Sequence, residues 1–359
     1  MFFALSDDQV ALRDGAAEVL AGLCTPADVR AVVEHPDDPT AGRAIERWAA
    51  LAELGATGLL APEADGGLDL GMVEVTAIVS AAGRVALPEP LGLHAGVAVP
   101  GLVAVADTSM IAAAASGELL IGVGGIEIDA DGPVIEATEG SLTARRVPHA
   151  DRSGAFLLAA ADDQGATVHL VPASKVTIEM TPSLAASRRL GAVTWTPSPA
   201  TLVASGPEAA ALIDDLANRL CVVAAAELCG LAEGMLEMTA AYTLDRQQFG
   251  KPIGSFQSIK HLLADVRIAL EFARPCVLRA AWAIDTDDAL QAHDAAVAKA
   301  LASDVAVLAA ATCLQVHGGI GYTWEHDLHL FGSRARALAA EHGNAPASRA
   351  RALRLSRHV

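Results

Sequence analysis

Two segments of this 359-residue chain hold the residue types best suited to chemistry. The first is Asp245-Arg246-Gln247-Gln248-Phe249-Gly250-Lys251-Pro252-Ile253-Gly254-Ser255-Phe256-Gln257, and the second is Gln315-Val316-His317-Gly318-Gly319-Ile320-Gly321-Tyr322. An arginine at a helix end suits a pyrophosphate, because its planar fork makes two parallel charge-assisted hydrogen bonds. Paired glycines let the backbone approach a ligand and offer N–H groups with no side chain in the way. Taken singly, each segment reads equally well as a helix-breaking loop. Other chemistries find less footing. His326 and His329 have the spacing of metal ligands on a helix, but no matching cluster accompanies them, so they read as surface or capping residues beside Asp327. Gly122-Val123-Gly124-Gly125 lacks the third glycine of a dinucleotide fingerprint, and there is neither a P-loop nor a Gly-x-Ser-x-Gly elbow.

The elements that must position these segments are mostly helical. Over residues 1–115, Ser6-Asp7-Asp8-Gln9 reads as a cap ahead of Val10, Leu12, Val19 and Leu20, and Pro62-Glu63-Ala64-Asp65-Gly66-Gly67 as an ordered turn. Over 116–205 the texture changes to short runs, Leu119–Ile128, Val134–Ala137, Ala155–Ala159, Ala166–Val171 and Val176–Met180, separated by turn residues. Such spacing predicts a small β-barrel or sandwich. From 206 to 359 four apolar seams follow at helical spacing, typified by Leu228, Leu231, Met235, Met238 and Tyr242, then Ile259, Leu263, Val266 and Leu270. Seams through Val297, Leu301, Val305 and Leu308, and through Leu328, Phe331, Ala335 and Leu338, complete a four-helix bundle. The fold class is therefore mainly α with a small β domain: an N-terminal helical domain, a middle β domain and a C-terminal bundle.

Composition narrows the function classes. Hydrophobic residues make up 52%, which excludes general disorder and supplies a large core. The formal net charge is −18, which argues against nucleic-acid binding. That charge is uneven: Arg334, Arg336, Arg349, Arg351, Arg354 and Arg357 face only Glu341 in the last stretch, which reads as a partner-facing tail. No apolar run approaches the roughly 20 residues of a membrane span. The opening residues turn acidic at once, unlike a secretory signal. Cys24, Cys221, Cys229, Cys276 and Cys313 are odd in number and scattered, as expected of reduced thiols in a cytoplasmic protein.

Together, at this spacing, the two segments resemble the acyl-CoA dehydrogenase family. Arg246-Gln247-Gln248-Phe249-Gly250 with Phe256-Gln257 is similar to its Arg-x-x-Phe-Gly…Gln element, and Gln315-Val316-His317-Gly318-Gly319-x-Gly321 to its Gln-x-x-Gly-Gly-x-Gly element. The Pro62-Glu63-x-x-Gly66-Gly67 turn and the helix–strand–helix order agree. The resemblance implies a tetramer in which these elements hold the ADP part of an FAD whose ring sits in the neighbouring subunit. It thus implies that Arg246, Phe256, Gln257, Gln315, Val316, His317, Gly318 and Gly319 face a partner's flavin. The implied reaction removes an α-proton from an acyl-CoA thioester while hydride leaves the β-carbon, and electrons pass on to an electron-transferring flavoprotein.

Departures from that pattern matter as much. The family's Thr-Glu-Pro-x-x-Gly-Ser-Asp and Lys-x-Trp-Ile-Thr stretches, which meet the flavin ring, are not recognisable between residues 121 and 161. The place of the basic glutamate after the fourth bundle helix falls on His342-Gly343, with Glu341 one residue early. The alternative place on the first bundle helix falls on Arg219-Leu220-Cys221, where there is no carboxylate. Glu341 reads as a solvent-exposed helix-end residue and a weak candidate base. A chain that keeps the ADP-holding half and lacks the ring pocket and base resembles one subunit of the α2β2 acyl-CoA dehydrogenases, some of which act on steroid side chains. The expectation is a heterotetramer with a catalytic partner. The alternatives are a self-sufficient homotetramer using a displaced base such as Glu341 or another carboxylate, and a flavin-free scaffold.

Overall fold

Capping chemistry starts the first helix where its residues predict, and the same device starts the second, which the sequence reading did not name. In the computed structural model, Ser6 and Gln9 exchange side-chain and backbone hydrogen bonds at the head of α1 (Asp7–Leu23), and Thr25 with Asp28 does the same for α2 (Pro26–Glu34). The structure describes residues 4–36, 38, 40–42, 45–105, 108–126, 135–138, 140–162 and 165–356. Helix α3 (Ile45–Glu53) precedes the Pro62–Gly67 turn, whose Gly66 is left-handed at φ +81°. There follow α4 (Met72–Arg84), α5 (Leu91–Leu93), a π-helical turn (His94–Ala98), α6 (Val99–Val105) and α7 (Thr108–Ala115).

Among the described residues eight strands come next: β1 (Ile121–Gly124), β2 (Ile135–Thr138), β3 (Ser141–Pro148), β4 (Ala155–Asp162), β5 (Gly165–Pro172), β6 (Val176–Met180), β7 (Leu190–Trp195) and β8 (Leu202–Ser205). They form two four-stranded sheets, ordered β1-β4-β5-β8 and β2-β3-β7-β6, so the arrangement is a pair of sheets. The predicted limits Ile128 and Val134 lie outside the described residues. Strands β3 and β7 interrupt their apolar residues with polar or small ones, and β8 is only four residues long, so none was read from the sequence. A separate small core fills the space between the sheets, around Phe156, Leu158, Val193 and Trp195.

Helix α8 (Gly206–Asp245) then leads through a hairpin of β9 (Gln247–Gln248) and β10 (Lys251–Pro252) to α9 (Gln257–Asp285), α10 (Gln291–His317), α11 (Leu328–Ala340) and α12 (Ala345–Ser356). The four predicted bundle helices are present, and α12 is a fifth that its weak apolar seam did not announce. One continuous core joins them to the N-terminal helices, from Leu20 and Ile78 to Leu228, Leu270 and Leu338. Glycines make that join close. A Cβ on Gly83 would overlap the Glu227 carbonyl, and one on Gly230 the Ser80 carbonyl, so α4 and α8 meet backbone to backbone. The Asp285 carboxylate caps α4 by accepting from Met72 N at 2.6 Å and Val73 N at 3.2 Å. The most apolar 18-residue window within Gln291–Tyr322 has a mean hydropathy of 1.7, enough on paper for a membrane span, contrary to the expectation from sequence. That window is 61% buried, because α10 packs as the core helix against α8 and α9.

The π-helical turn supplies a testable acid sensitivity. His94 is buried, and its Nε2–H donates to the Ala114 carbonyl at 2.9 Å, leaving Nδ1 buried without a partner. Burial pulls its pKa from 6.5 down to about 4, because the desolvation of a charged ring outweighs the one hydrogen bond to Ala114 that favours it. The unfolded chain therefore takes up a proton that the folded chain refuses. The stability from this site is full above pH 6.5 and falls as the pH drops to about 4, by up to about 3 kcal/mol. Other buried histidines shift in the same direction, so the measurement is a difference. Urea unfolding of wild type and His94→Gln across this window is expected to show a shallower acid decline in the variant, and parallel curves would refute the assignment.

Candidate functional site

The first segment leaves α8 with Arg246, whose N–H donates to the Tyr242 carbonyl at 2.9 Å and whose own carbonyl accepts from Ile253 N at 2.8 Å. Between them the hairpin turns at Phe249 (φ +53°) and Gly250 (φ +78°). Two left-handed residues in succession give the tight twist of a type I′ turn. They also thrust Phe249 into solvent at 91% exposure. Lys251 Nζ lies 4.5 Å from the centroid of the Phe256 ring, which fixes the return strand against the start of α9. Arg246 and Gln257 are exposed and Phe256 is half-buried. Gln257 opens α9, so the partial positive charge of a 29-residue helix adds to that of Arg246 at this end.

The second segment ends α10. Gln315 is exposed, Val316 and His317 are buried, Gly318 is half-buried and Gly319 is exposed. Gly318 has φ +63° and ψ −138°, a conformation that side chains forbid. A Cβ added to Gly318 or Gly319 would meet nothing within 4 Å, so this backbone faces open space. His317 donates from Nδ1 to the Cys313 carbonyl at 2.8 Å, which leaves Nε2 unprotonated, buried and without a partner. Its ring stacks on Tyr242 at 4.4 Å, one helical turn before Arg246. The fold thus brings the ends of α8 and α10 side by side. Tyr242 was visible in the sequence only as a seam residue. The pair His326 and His329 cap and brace the start of α11, through Leu328 N to His326 Nδ1 at 3.1 Å and His329 Nδ1 to the His326 carbonyl at 2.7 Å.

Glu341 is not solvent-exposed, contrary to expectation. It is buried at the end of α11 and forms an ion pair with Arg188, from the turn before β7. His342 Nε2 lies 3.7 Å from the same carboxylate. Burial, with Arg188, Lys299 and Arg146 nearby, holds the His342 pKa well below its usual value, so the ring is neutral there and a poor proton acceptor. Lys299, fully buried on α10, donates to Ser303 Oγ at 3.0 Å and to the Ala339 and Gly343 carbonyls at 3.2 and 3.0 Å. It satisfies the Ala339 carbonyl, one of those the end of α11 leaves unpaired, and the Gly343 carbonyl of the turn that follows. Cys221 Sγ approaches the His342 carbonyl at 3.8 Å, so the two places that the resemblance assigns to a base converge. Neither holds a carboxylate. The sequence offered no signal for Arg188 or Lys299, which lie far away along the chain.

The basic tail is not a single face either. Arg334 is buried and donates to Glu227 at 2.6 Å and to the Leu87 carbonyl at 2.5 Å, fastening α11 to α8 and to the turn after α4. Arg349 pairs with Asp304, and Arg351 reaches Asn218 at 2.7 Å. Arg354 is exposed, and Arg357 lies outside the described residues. Folding therefore consumes part of the positive charge that the sequence reads as partner-facing.

Known proteins bear on this geometry. Residues 6–110 match the family model for the acyl-CoA dehydrogenase N-terminal domain, and residues 216–352 the model for the acyl-CoA dehydrogenase C-terminal domain. The chain is 34% identical over 346 residues to the acyl-CoA dehydrogenase FadE34 of Mycobacterium tuberculosis, covering 94% of this chain but 46% of that protein. It thus spans about half the length of that relative. It is 31% identical to the acyl-CoA dehydrogenase IpdE2 of the same organism, covering 93% of this chain and 92% of that one. Its fold superposes on a chain of the ChsE4–ChsE5 complex from M. tuberculosis with a TM-score of 0.84 at 25% identity, over 100% and 98% of the two chains.

Proposed function

This chain belongs to the acyl-CoA dehydrogenase family, and on that footing we propose that it is the non-base-bearing subunit of a heterotetrameric, FAD-dependent enzyme. Family membership implies FAD, which supplies a hydride acceptor when bound. Arg246 would hold the pyrophosphate through its guanidinium, and the open Gly318–Gly319 backbone would add N–H donors. Gln257 and Gln315 would orient the ADP portion, and Phe256 would wall it. The partner subunit contributes the flavin-ring pocket and the carboxylate that takes the α-proton of the acyl-CoA. The product is the trans-2-enoyl-CoA, and the electron acceptor an electron-transferring flavoprotein. We place the complex in the cytoplasm, in line with five cysteines that are all free thiols.

The observation that carries this reading is an asymmetry. The dinucleotide-facing end is open, with exposed Arg246, Gln257, Gln315 and Gly319, while the base position is filled by buried His342 beside an ion-paired Glu341. FadE34, in which this chain matches about half the length, leaves room for a complementary unit in one polypeptide. ChsE4–ChsE5, a complex of two chains, has the same fold.

The test is to purify this chain alone and together with a base-bearing acyl-CoA dehydrogenase partner encoded beside it. The chain alone is expected to be colourless, and the pair to carry flavin and dehydrogenate acyl-CoA. Arg246→Ala in the pair is expected to weaken FAD binding by roughly 10- to 100-fold, the range for a lost charge-assisted hydrogen bond. Flavin and full turnover in the single chain would favour the homotetramer. Unchanged flavin affinity in Arg246→Ala would favour a scaffold.

A further inference from the structure

We propose that Tyr242 is a positioning residue, which sets the separation between Arg246 and the Gly318–Gly319 backbone and so tunes affinity for the ADP half of the cofactor. The inference rests on the reading that these loops face FAD. It begins with a mechanical problem. A pyrophosphate held between an arginine on one helix end and a glycine turn on another needs those ends at a fixed distance. Helices α8 and α10 pack along their lengths, yet both end at an exposed surface, with Arg246 and Gly319 in solvent. Exposed helix ends fray unless something ties them.

The tie present is aromatic. The Tyr242 and His317 rings stack at 4.4 Å and 22°, and Tyr242 Oη donates weakly to the His317 carbonyl at 3.5 Å. Each partner is locked to its own loop. The Tyr242 carbonyl accepts the Arg246 N–H, so the arginine departs from the turn that carries the tyrosine. His317 is held from behind by Cys313, and it directly precedes Gly318, whose glycine-only backbone angles aim the next N–H groups. His326 closes the cluster edge-on, 4.4 Å from His317 and 6.4 Å from Tyr242. Its neighbour Asp327 is anchored to Arg30 of α2 at 2.6 Å. Three rings thus clamp two cofactor-facing segments.

An aromatic pair of this kind contributes an effect of about two- to tenfold in an equilibrium constant. The experiment uses the two-subunit complex, stripped of flavin and titrated with FAD by fluorescence, with ADP as a competing probe. Tyr242→Leu is expected to weaken both FAD and ADP by about two- to tenfold. Tyr242→Phe, which keeps the stack, is expected to bind as wild type. The visible spectrum of bound flavin stays unchanged in both, because the ring lies elsewhere. His326→Leu, on the half-exposed side of the cluster, is expected to give a smaller loss in the same direction and guards against misfolding of the first variant. Wild-type FAD and ADP affinity in Tyr242→Leu, while Arg246→Ala is impaired, would overturn the clamp and leave the cofactor-facing reading standing. Wild-type affinity in both would overturn that reading itself.

Discussion

Replacing Glu341 by alanine is expected to destabilise the chain by about 3–5 kcal/mol, the cost of removing one member of a buried ion pair. The carboxylate joins Arg188 across the seam between the sheets and the helices, with both side chains almost wholly buried. Lys299 of α10 donates to the Ala339 and Gly343 carbonyls on either side of Glu341, so the loss also loosens the junction of α11 with α12. Glu341→Gln, which keeps an acceptor oxygen, is expected to lose less. On the proposed division of labour, in which a partner supplies the base, turnover by the two-subunit complex should be unchanged in Glu341→Gln. A displaced catalytic base would behave in the opposite way, with turnover falling by about 10²- to 10⁴-fold and stability nearly intact. Urea unfolding of the single chain and initial rates of the complex separate the two outcomes.

Glu89→Ala is expected to cost a similar amount, about 3–5 kcal/mol, for the same electrostatic reason. Arg47 is 0% exposed and grips Glu89 at both oxygens, Nε to Oε2 at 2.9 Å and Nη2 to Oε1 at 2.5 Å. Its remaining N–H groups donate to the Leu23 carbonyl at 2.7 Å and the Gly42 carbonyl at 2.8 Å. One guanidinium therefore ties α3, the end of α1 and the Pro88-Glu89-Pro90 turn that leads into α5. Removing the carboxylate leaves a full charge in the core with only dipoles to solvate it. Because salt does not reach the pair, the loss should persist at high ionic strength. The exposed pair Arg84–Glu237 is the control: Glu237→Ala should cost no more than about 1 kcal/mol and less in salt. Equal losses at the two sites would contradict the assignment.

Much of the fold was legible because its signals are local. Helical seams, the Ser6 cap and the Pro62–Gly67 turn depend on residues within a few positions of one another. The missed strands β3, β7 and β8 show the limit: Ser141–Pro148 includes Thr143, Arg145 and Arg146, and its apolar positions become a face only when β7 lies alongside. Helix α12 carries three arginines within Ala345–Ser356 and only Leu353 and Leu355 as large apolar residues, and it is stable mainly because α10 receives it.

The sequence by itself determined the family, through two motifs whose residues must sit at set intervals, and it determined that the expected base position holds His342. The tertiary structure alone decided what surrounds that position. Arg188 reaches Glu341, Lys299 reaches Gly343 and Arg334 reaches Glu227 from distant parts of the chain. A charge that reads as a solvated helix end becomes a buried pair when another element removes water from it. Burial and partner, which set what a carboxylate can do, are properties of the packed assembly of elements, and no short window of residues carries them.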